Sequence, residues 1–120
     1  MVFKAVNTLK KNFILIIVIT LFAASARAEN SNRYCHEIAD MCELIMRNHQ
    51  YGKSDEAGTK ASIKFAVPLS YLGSYPNSIN ILLTLTEDIY SITVFPLKEQ
   101  KDAAIKAISR NIYLVCKTKW

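Results

Sequence analysis

The amino-acid sequence predicts an all-α protein, a small four-helix up-down bundle stapled by one disulfide. Four stretches of the chain carry apolar residues at spacings of three and four, the pattern of one helical face. The connections between these stretches are short, which favours antiparallel neighbours. Three cysteines follow an export signal, so a disulfide is expected. The alternative is an α+β fold with a hairpin at about 79–95.

The first 28 residues have the organisation of a cleaved signal peptide. Lysines precede an apolar run over 13–23, and small residues lead to an expected cleavage after Ala28. This run is shorter than the roughly 20 apolar residues that span a bilayer. We therefore expect one helical domain over 29–120 that is periplasmic or secreted and has no stable membrane anchor after signal cleavage.

The positive charge of the whole chain comes mostly from this leader. It carries four of the 15 Lys and Arg and none of the ten Asp and Glu, which leaves a net charge near +1 on the expected mature chain. Nucleic acid is therefore not an expected partner. The last predicted helix is rich in Lys and Arg and the first in Asp and Glu, which predicts two solvated faces that attract each other when packed side by side.

The first two helices have recognisable ends. Helix one is predicted over 30–51, with Gly52 as a natural stop. Helix two is predicted over 54–66, because Ser54 and two acids suit a helix start and Pro68 should end it. The apolar face of helix one is expected to comprise Tyr34, Ile38, Met41, Cys42, Ile45 and Met46.

The stretch 77–96 fits two structures. Its Ile, Thr, Val and Tyr content suits a hairpin turning at Glu87-Asp88, but that turn lacks Gly and Asn. Ile79, Leu82 and Ile89 instead share a helical face, so we predict a helix over about 77–90 followed by the extended connector SITVFP. The fourth helix is predicted over about 97–117, after Pro96.

The spacing of the cysteines limits how they can pair. In a helix, Cys35 and Cys42 lie about 10.5 Å apart along the axis, whereas bridged cysteines need Cα atoms within about 7 Å. In an up-down-up-down bundle the start of the first helix lies beside the end of the last. We therefore predict a bridge from Cys35 to Cys116 and a buried, reduced thiol at Cys42.

No catalytic residue and no cofactor is predicted. The stretch CHEIADMC begins like a zinc-protease helix, but its fifth position after His36 is Asp40 rather than a second histidine, so the two are expected to form a surface pair. Cys42, Met46 and His49 lie on one helical face with soft ligands that suit copper. We expect them to belong to the core and predict no metal site.

Several segments together resemble a known family. These are a Cys about ten residues before Ile45-Met46, then RNHQYGKSDEA (47–57), Ile89-Tyr90 and AIKAISRNIYLVC (104–116). They resemble a family of small uncharacterised exported (periplasmic) all-helical proteins of Gram-negative bacteria, with a Cys in the first helix and a C-terminal Y-x-x-C. The resemblance implies an all-helical fold and a disulfide from Cys35 to Cys116, and it implies no activity. The chain departs from the pattern at His49, Ile108 and the extra Cys42.

The expected function is non-enzymatic binding of an unidentified protein partner, for example as an inhibitor or immunity factor. The candidate contact patch is the uncharged stretch with Tyr90, Ile92, Val94 and Phe95, provided that several of these residues are exposed. One alternative is a periplasmic stress chaperone that loses structure below about pH 4 and then binds clients. Another is a copper-binding protein that uses Cys42, Met46 and His49.

Overall fold

A computed structural model of the protein describes residues 31–118, and all of the regular structure in this range is helical. The predicted signal peptide lies outside the described residues. Two short 3-10 turns connect the second and third helices, at Val67–Leu69 and Tyr71–Ser74. The four α-helices are α1 (Ser31–Tyr51), α2 (Glu56–Ala66), α3 (Ser78–Tyr90) and α4 (Lys98–Thr118). The predicted all-α fold with four helices is confirmed.

Local sequence explains where the helices begin and end. Helix α1 ends at Tyr51, and the following Gly52 has a φ of 63°, a conformation that glycine adopts without steric cost. Helix α2 begins at Glu56, two residues after the predicted start at Ser54, because the side chain of Asp55 caps it and accepts a hydrogen bond from the backbone N–H of Gly58 at 2.7 Å. The α-helix ends at Ala66, and Pro68 stands in the 3-10 turn that follows.

The hairpin alternative for 79–95 is not formed within the described chain. Leu82, Leu85 and Ile89 are fully buried on the inner face of α3, so the helical period places the apolar side chains in the core. The hydroxyl of Thr86, a residue that favours strands, donates to the carbonyl of Leu82 at 2.7 Å inside this helix. Burial of the apolar face therefore outweighs the strand propensity of the stretch.

The helices alternate in direction. Helices α1 and α4 are antiparallel, because Cys35 meets Cys116 at one end and Tyr51 meets Asp102 at the other. Helices α1 and α3 run parallel, with Ser78 bonded to Tyr34 at their starts. Helix α2 returns antiparallel to α3. The close backbone contacts between described helices are α1 with α4, α1 with α3, α2 with α3 and, over a short distance, α1 with α2.

The predicted disulfide is present. Cys35 and Cys116 are bridged with a Cα–Cα distance of 5.6 Å and a sequence separation of 81 residues. Closing a loop of this length stabilises the folded chain by about 4 kcal/mol in the chain-entropy model. Cys42 is a free, fully buried thiol, as predicted, and burial raises its pKa to about 12.

One buried core includes all four helices. Most of its members come from α1, α3 and α4, and α2 contributes Ile63. Among residues 31–118, we find no helix with the length and apolar content needed to cross a membrane. The largest fully buried side chains are Tyr34, Ile38, Ile45, Met46, Ile63, Leu72, Ile81, Leu82, Leu85, Ile89 and Ile105.

Candidate functional site

An open groove runs along the surface between α1 and α4. It consists of two adjoining cavities that share Glu43 and Lys106. The wide end, of about 440 Å³, is lined by Glu43, Arg47, Tyr51, Lys53, Lys98, Asp102, Ile105 and Lys106. The narrow end, of about 290 Å³, is lined by His36, Ala39, Asp40, Glu43, Lys106, Ser109, Arg110 and Tyr113. We call this surface the α1/α4 groove.

A hydrogen-bonded network links α1 to α4 at the wide end of the groove. Tyr51 Oη donates to Asp102 Oδ1 at 2.6 Å, and Lys98 Nζ donates to Asp102 Oδ2 at 2.7 Å. The bonds from Lys98 and Tyr51 hold the pKa of Asp102 below its ordinary value, and the bond to Asp102 raises the pKa of Tyr51. Lys101 adds a second link between the helices through the carbonyl of Gln50 at 2.8 Å. The end of α1 is therefore fixed to the start of α4.

The narrow end of the groove lies beside the disulfide. The rings of His36 and Tyr113 stack across the two helices with centroids 4.4 Å apart. The hydroxyl of Tyr113 donates to Asn32 Oδ1 at 2.8 Å, and Lys117 donates to the same oxygen at 3.0 Å. His36 thus contacts a ring of α4 instead of forming the predicted ion pair with Asp40, which has no ion pair within residues 31–118. This interaction corrects that prediction.

The ion pairs found among residues 31–118 do not join α1 to α4. In the described chain every ion pair lies within one helix or between α2 and α3, and Arg47 with Glu43 at 3.0 Å is an example of the first kind. The acidic and basic helices pack side by side, but the expected attraction of their charged faces forms no ion pair between them within the described chain. The two helices are linked by the disulfide and by hydrogen bonds, which leaves Lys106 and Arg110 of α4 without an ion pair among residues 31–118.

The α1/α4 groove carries an excess of positive charge. Its lining holds five Lys and Arg side chains against the three carboxylates of Asp40, Glu43 and Asp102. Three of these cations, Lys53, Lys106 and Arg110, have no ion pair with any of the residues 31–118. Lys106 and Arg110 are both exposed and stand one turn apart on α4. Five positive charges minus three negative charges give the groove lining a net formal charge of +2.

The connector 91–96 does not form the predicted contact patch. Ile92 and Phe95 are buried in the core, Tyr90 is half-buried, and Val94, at 49% exposure, is the one clearly exposed member of the four. The condition that several of them be exposed is not met. The uncharged sequence of this stretch reflects its packing against the bundle, so the candidate site moves to the charged groove.

Two polar side chains at the end of α1 hold the connector in place. The buried amide of Gln50 donates to the carbonyl of Thr93 at 2.8 Å and accepts from the backbone N–H of Phe95 at 2.9 Å. The Nε2 atom of His49 bonds the carbonyl of Ile92 at 2.6 Å, which assigns the ring proton to that nitrogen. These bonds satisfy the backbone of a segment with no regular structure.

The three sulfur and imidazole candidates for copper already have structural contacts. Cys42 and Met46 are buried in the core, and the raised pKa of Cys42 disfavours the thiolate that a metal would need. His49 bonds the connector, as described above. Among residues 31–118, no cluster of three or more His, Cys, Asp and Glu side chains is placed to hold a metal ion.

Two sets of residues were not singled out from the sequence. The sequence predicts only that the charged faces of two helices attract each other. It does not identify the groove residues, because sequence patterning does not show which charges pair. Gln50 belongs to the segment RNHQYGKSDEA (47–57), which predicts no role for it. Its signal is a lone amide one turn after the buried Met46, on the apolar face of α1, where a polar side chain needs a specific partner.

Comparison of the chain with protein-family models, with curated proteins and with solved structures finds no match.

Proposed function

We propose that this protein is a non-enzymatic protein of the periplasm that binds another protein and so inhibits or neutralises it. It binds an acidic segment of this partner in the α1/α4 groove. The observation that carries the proposal is the set of groove cations with no ion pair among residues 31–118, Lys53, Lys106 and Arg110. An acidic segment would supply the opposite charges at these positions.

The dimensions and composition of the groove favour a polypeptide over a small ligand. From His36 to Tyr51 the groove follows α1 for about 22 Å, at 1.5 Å per residue. Its lining includes Arg47, Arg110, Tyr51 and Tyr113, and Arg and Tyr are residue types that dominate binding energy at protein interfaces. The open, elongated shape suits a helix or an extended chain laid along two helices.

The groove is also rigid, which favours tight binding. The disulfide of Cys35 holds its narrow end, and the bond from Tyr51 to Asp102 holds its wide end. Binding to a surface that is already ordered avoids part of the conformational entropy cost of association. A preorganised scaffold of this type is what a small exported inhibitor requires.

Capture from periplasmic extract with the mature protein, over residues 29–120, tests the proposal. The wild type is compared with Lys106→Glu and with the control Asn80→Glu, which places a negative charge at an exposed position of α3 outside the groove. We expect one stoichiometric partner that Lys106→Glu binds at least roughly tenfold more weakly, whereas Asn80→Glu binds like the wild type. Affinity should also fall as ionic strength rises.

Three results would contradict this function. Equal loss of the partner in both variants would place the interface outside the groove. Capture of many proteins only near pH 3, together with acid loss of structure, would favour the chaperone alternative. Stoichiometric copper binding that Cys42→Ser abolishes would favour the metal alternative.

A further inference from the structure

The outward face of α2 carries a row of apolar side chains that nothing in the described chain covers. Ala57, Ala61 and Phe65 follow each other at intervals of four residues along one side of α2, and Leu69 follows in the 3-10 turn after the helix. All four are exposed, Phe65 at 75% and Leu69 at 78%. We call these four residues the α2 ridge. The inward face of the same helix, with Thr59 and Ile63, is buried against the bundle.

The order of small and large side chains along the α2 ridge is self-complementary. Its first half holds two alanines, and its second half holds a phenylalanine and a leucine. When two copies of α2 pack antiparallel about a two-fold axis at Ala61, Phe65 of each copy lies over Ala57 of the other. The large ring then occupies the space above the small residue, and the two Ala61 methyl groups allow close approach. An isologous dimer requires a surface that complements itself in this way.

The charges beside the ridge follow the same symmetry. Glu56 and Lys64 stand on one edge of α2, at its beginning and near its end. Antiparallel packing places Glu56 of each copy near Lys64 of the other, which pairs opposite charges twice. Lys60, between them and near the axis, is already held by Glu87 at 2.7 Å and by Glu56 at 3.3 Å, so its charge is compensated within its own copy.

From this arrangement we infer that the mature chain forms a two-fold symmetric dimer through the α2 ridge. The α1/α4 groove is not involved, because α2 and α4 make no close backbone contact in the described structure. Each copy therefore keeps its groove free, and the dimer can engage a partner at two sites. The inference is independent of the proposed function, since it depends on α2 alone.

The dimer is expected to be weak and reversible. Helix α2 has 11 residues and is about 16 Å long at 1.5 Å per residue. A contact built on one such helix buries less than the roughly 1,200 to 2,000 Å² of a stable, specific interface. We therefore expect a monomer at low concentration and a dimer as the concentration rises through the micromolar range.

Sedimentation equilibrium of the mature protein over a wide concentration range measures this association. Phe65→Ser should weaken dimerisation at least about 100-fold, because two copies of the ring lose their contact and each is worth about a factor of ten or more. The matched control is Leu114→Ser, which removes another exposed apolar side chain, 50% exposed, from α4. This control should dimerise like the wild type. If both substitutions act equally, the dimer does not use the ridge.

Cysteine cross-linking locates the symmetry axis. The native cysteines do not compete, because Cys35 and Cys116 are bridged and Cys42 is fully buried. Under mild oxidation, Ala61→Cys should form a covalent dimer much faster than Ala103→Cys, an exposed alanine on α4. Equal rates would reflect random collisions and overturn the inference. A protein that stays monomeric throughout, or whose ridge binds phosphatidylcholine vesicles in a manner abolished by Phe65→Ser, would also overturn it.

Discussion

Helices α1 and α4 are joined by a disulfide and share no ion pair across their described interface, whereas α2 and α3 are joined by an ion pair and by buried hydroxyl groups. Lys60 of α2 binds Glu87 of α3, and Tyr90 Oη donates to the carbonyl of Ser54 at 2.6 Å. Because that hydroxyl has one proton, Thr59 must donate the 2.8 Å bond between Thr59 and Tyr90.

This contrast shows how a small domain separates stability from binding. Where a covalent link holds α1 and α4, some charged side chains, such as Asp102 and Lys101, still make hydrogen bonds across the helices, but others, such as Lys106 and Arg110, have no ion pair in the described chain and stay available to a partner. Where no covalent link exists, polar side chains hold the helices together, as Thr59, Lys60, Glu87 and Tyr90 do. The α1/α4 pair therefore presents the charged groove, and the α2/α3 pair presents an apolar ridge on its outer side.

The largest expected effect is the loss of the link between α1 and α4. The double variant Cys35→Ser/Cys116→Ser should lower the free energy of unfolding by about 4 kcal/mol, because the unfolded chain regains the entropy of an open loop. Replacing both cysteines prevents mispairing with Cys42. Urea unfolding measures the change. A loss below about 1 kcal/mol would show that packing, rather than the bridge, holds these helices together.

A smaller loss is expected at the connector. Gln50→Ala removes a buried amide that bonds the backbone of Thr93 and Phe95, so we expect the free energy of unfolding to fall by roughly 2 to 3 kcal/mol. The matched control is Gln100→Ala, at the start of α4, where the side chain accepts one long bond of 3.4 Å from the N–H of Leu97. That control should cost under about 1 kcal/mol. Similar losses in the two variants would contradict the role of Gln50.

Removing the hydroxyl of Tyr90 or of Tyr51 compares the stability of the contacts in the two helix pairs. Tyr90→Phe removes two partly buried bonds of α3, one to Thr59 of α2 and one to Ser54 just before α2, and should cost about 1 to 2 kcal/mol. Tyr51→Phe removes one exposed bond to Asp102 between α1 and α4 and should cost less than about 0.5 kcal/mol. Thermal unfolding of the two variants measures both values. The comparison fails if Tyr51→Phe destabilises as much as Tyr90→Phe.

The smallest effect is expected from the pH dependence of Asp102. Its pKa is lowered in the folded state by Lys98 and Tyr51, so its stabilising contribution is present above the unfolded value near 3.8 and is lost as pH falls through the lower, folded value. The stability difference between wild type and Asp102→Asn should therefore be constant at neutral pH and disappear in strong acid. Urea unfolding from pH 7 to pH 2 measures it. A difference that grows on acidification would contradict this sign.

Much of the fold could be predicted from periodicity and helix ends. Each of these signals can be read from residues within a few turns of one helix. They are the apolar spacing of α1, the proline after α2 and the distance between Cys35 and Cys42. The candidate site could not be predicted in the same way. The uncharged connector was expected to form an exposed contact patch. Ile92 and Phe95 are instead buried, because Gln50 and His49 make hydrogen bonds to the backbone around them.

The sequence by itself determined the four helices, the pairing of Cys35 with Cys116 and the buried state of Cys42, because these depend on spacing along the chain and on the alternation of helix direction. Only the tertiary structure decided which charges have partners. Ion pairing depends on distances of a few ångströms between side chains of different helices. Those distances leave Lys106 and Arg110 without an acid in the described structure and give Lys60 two.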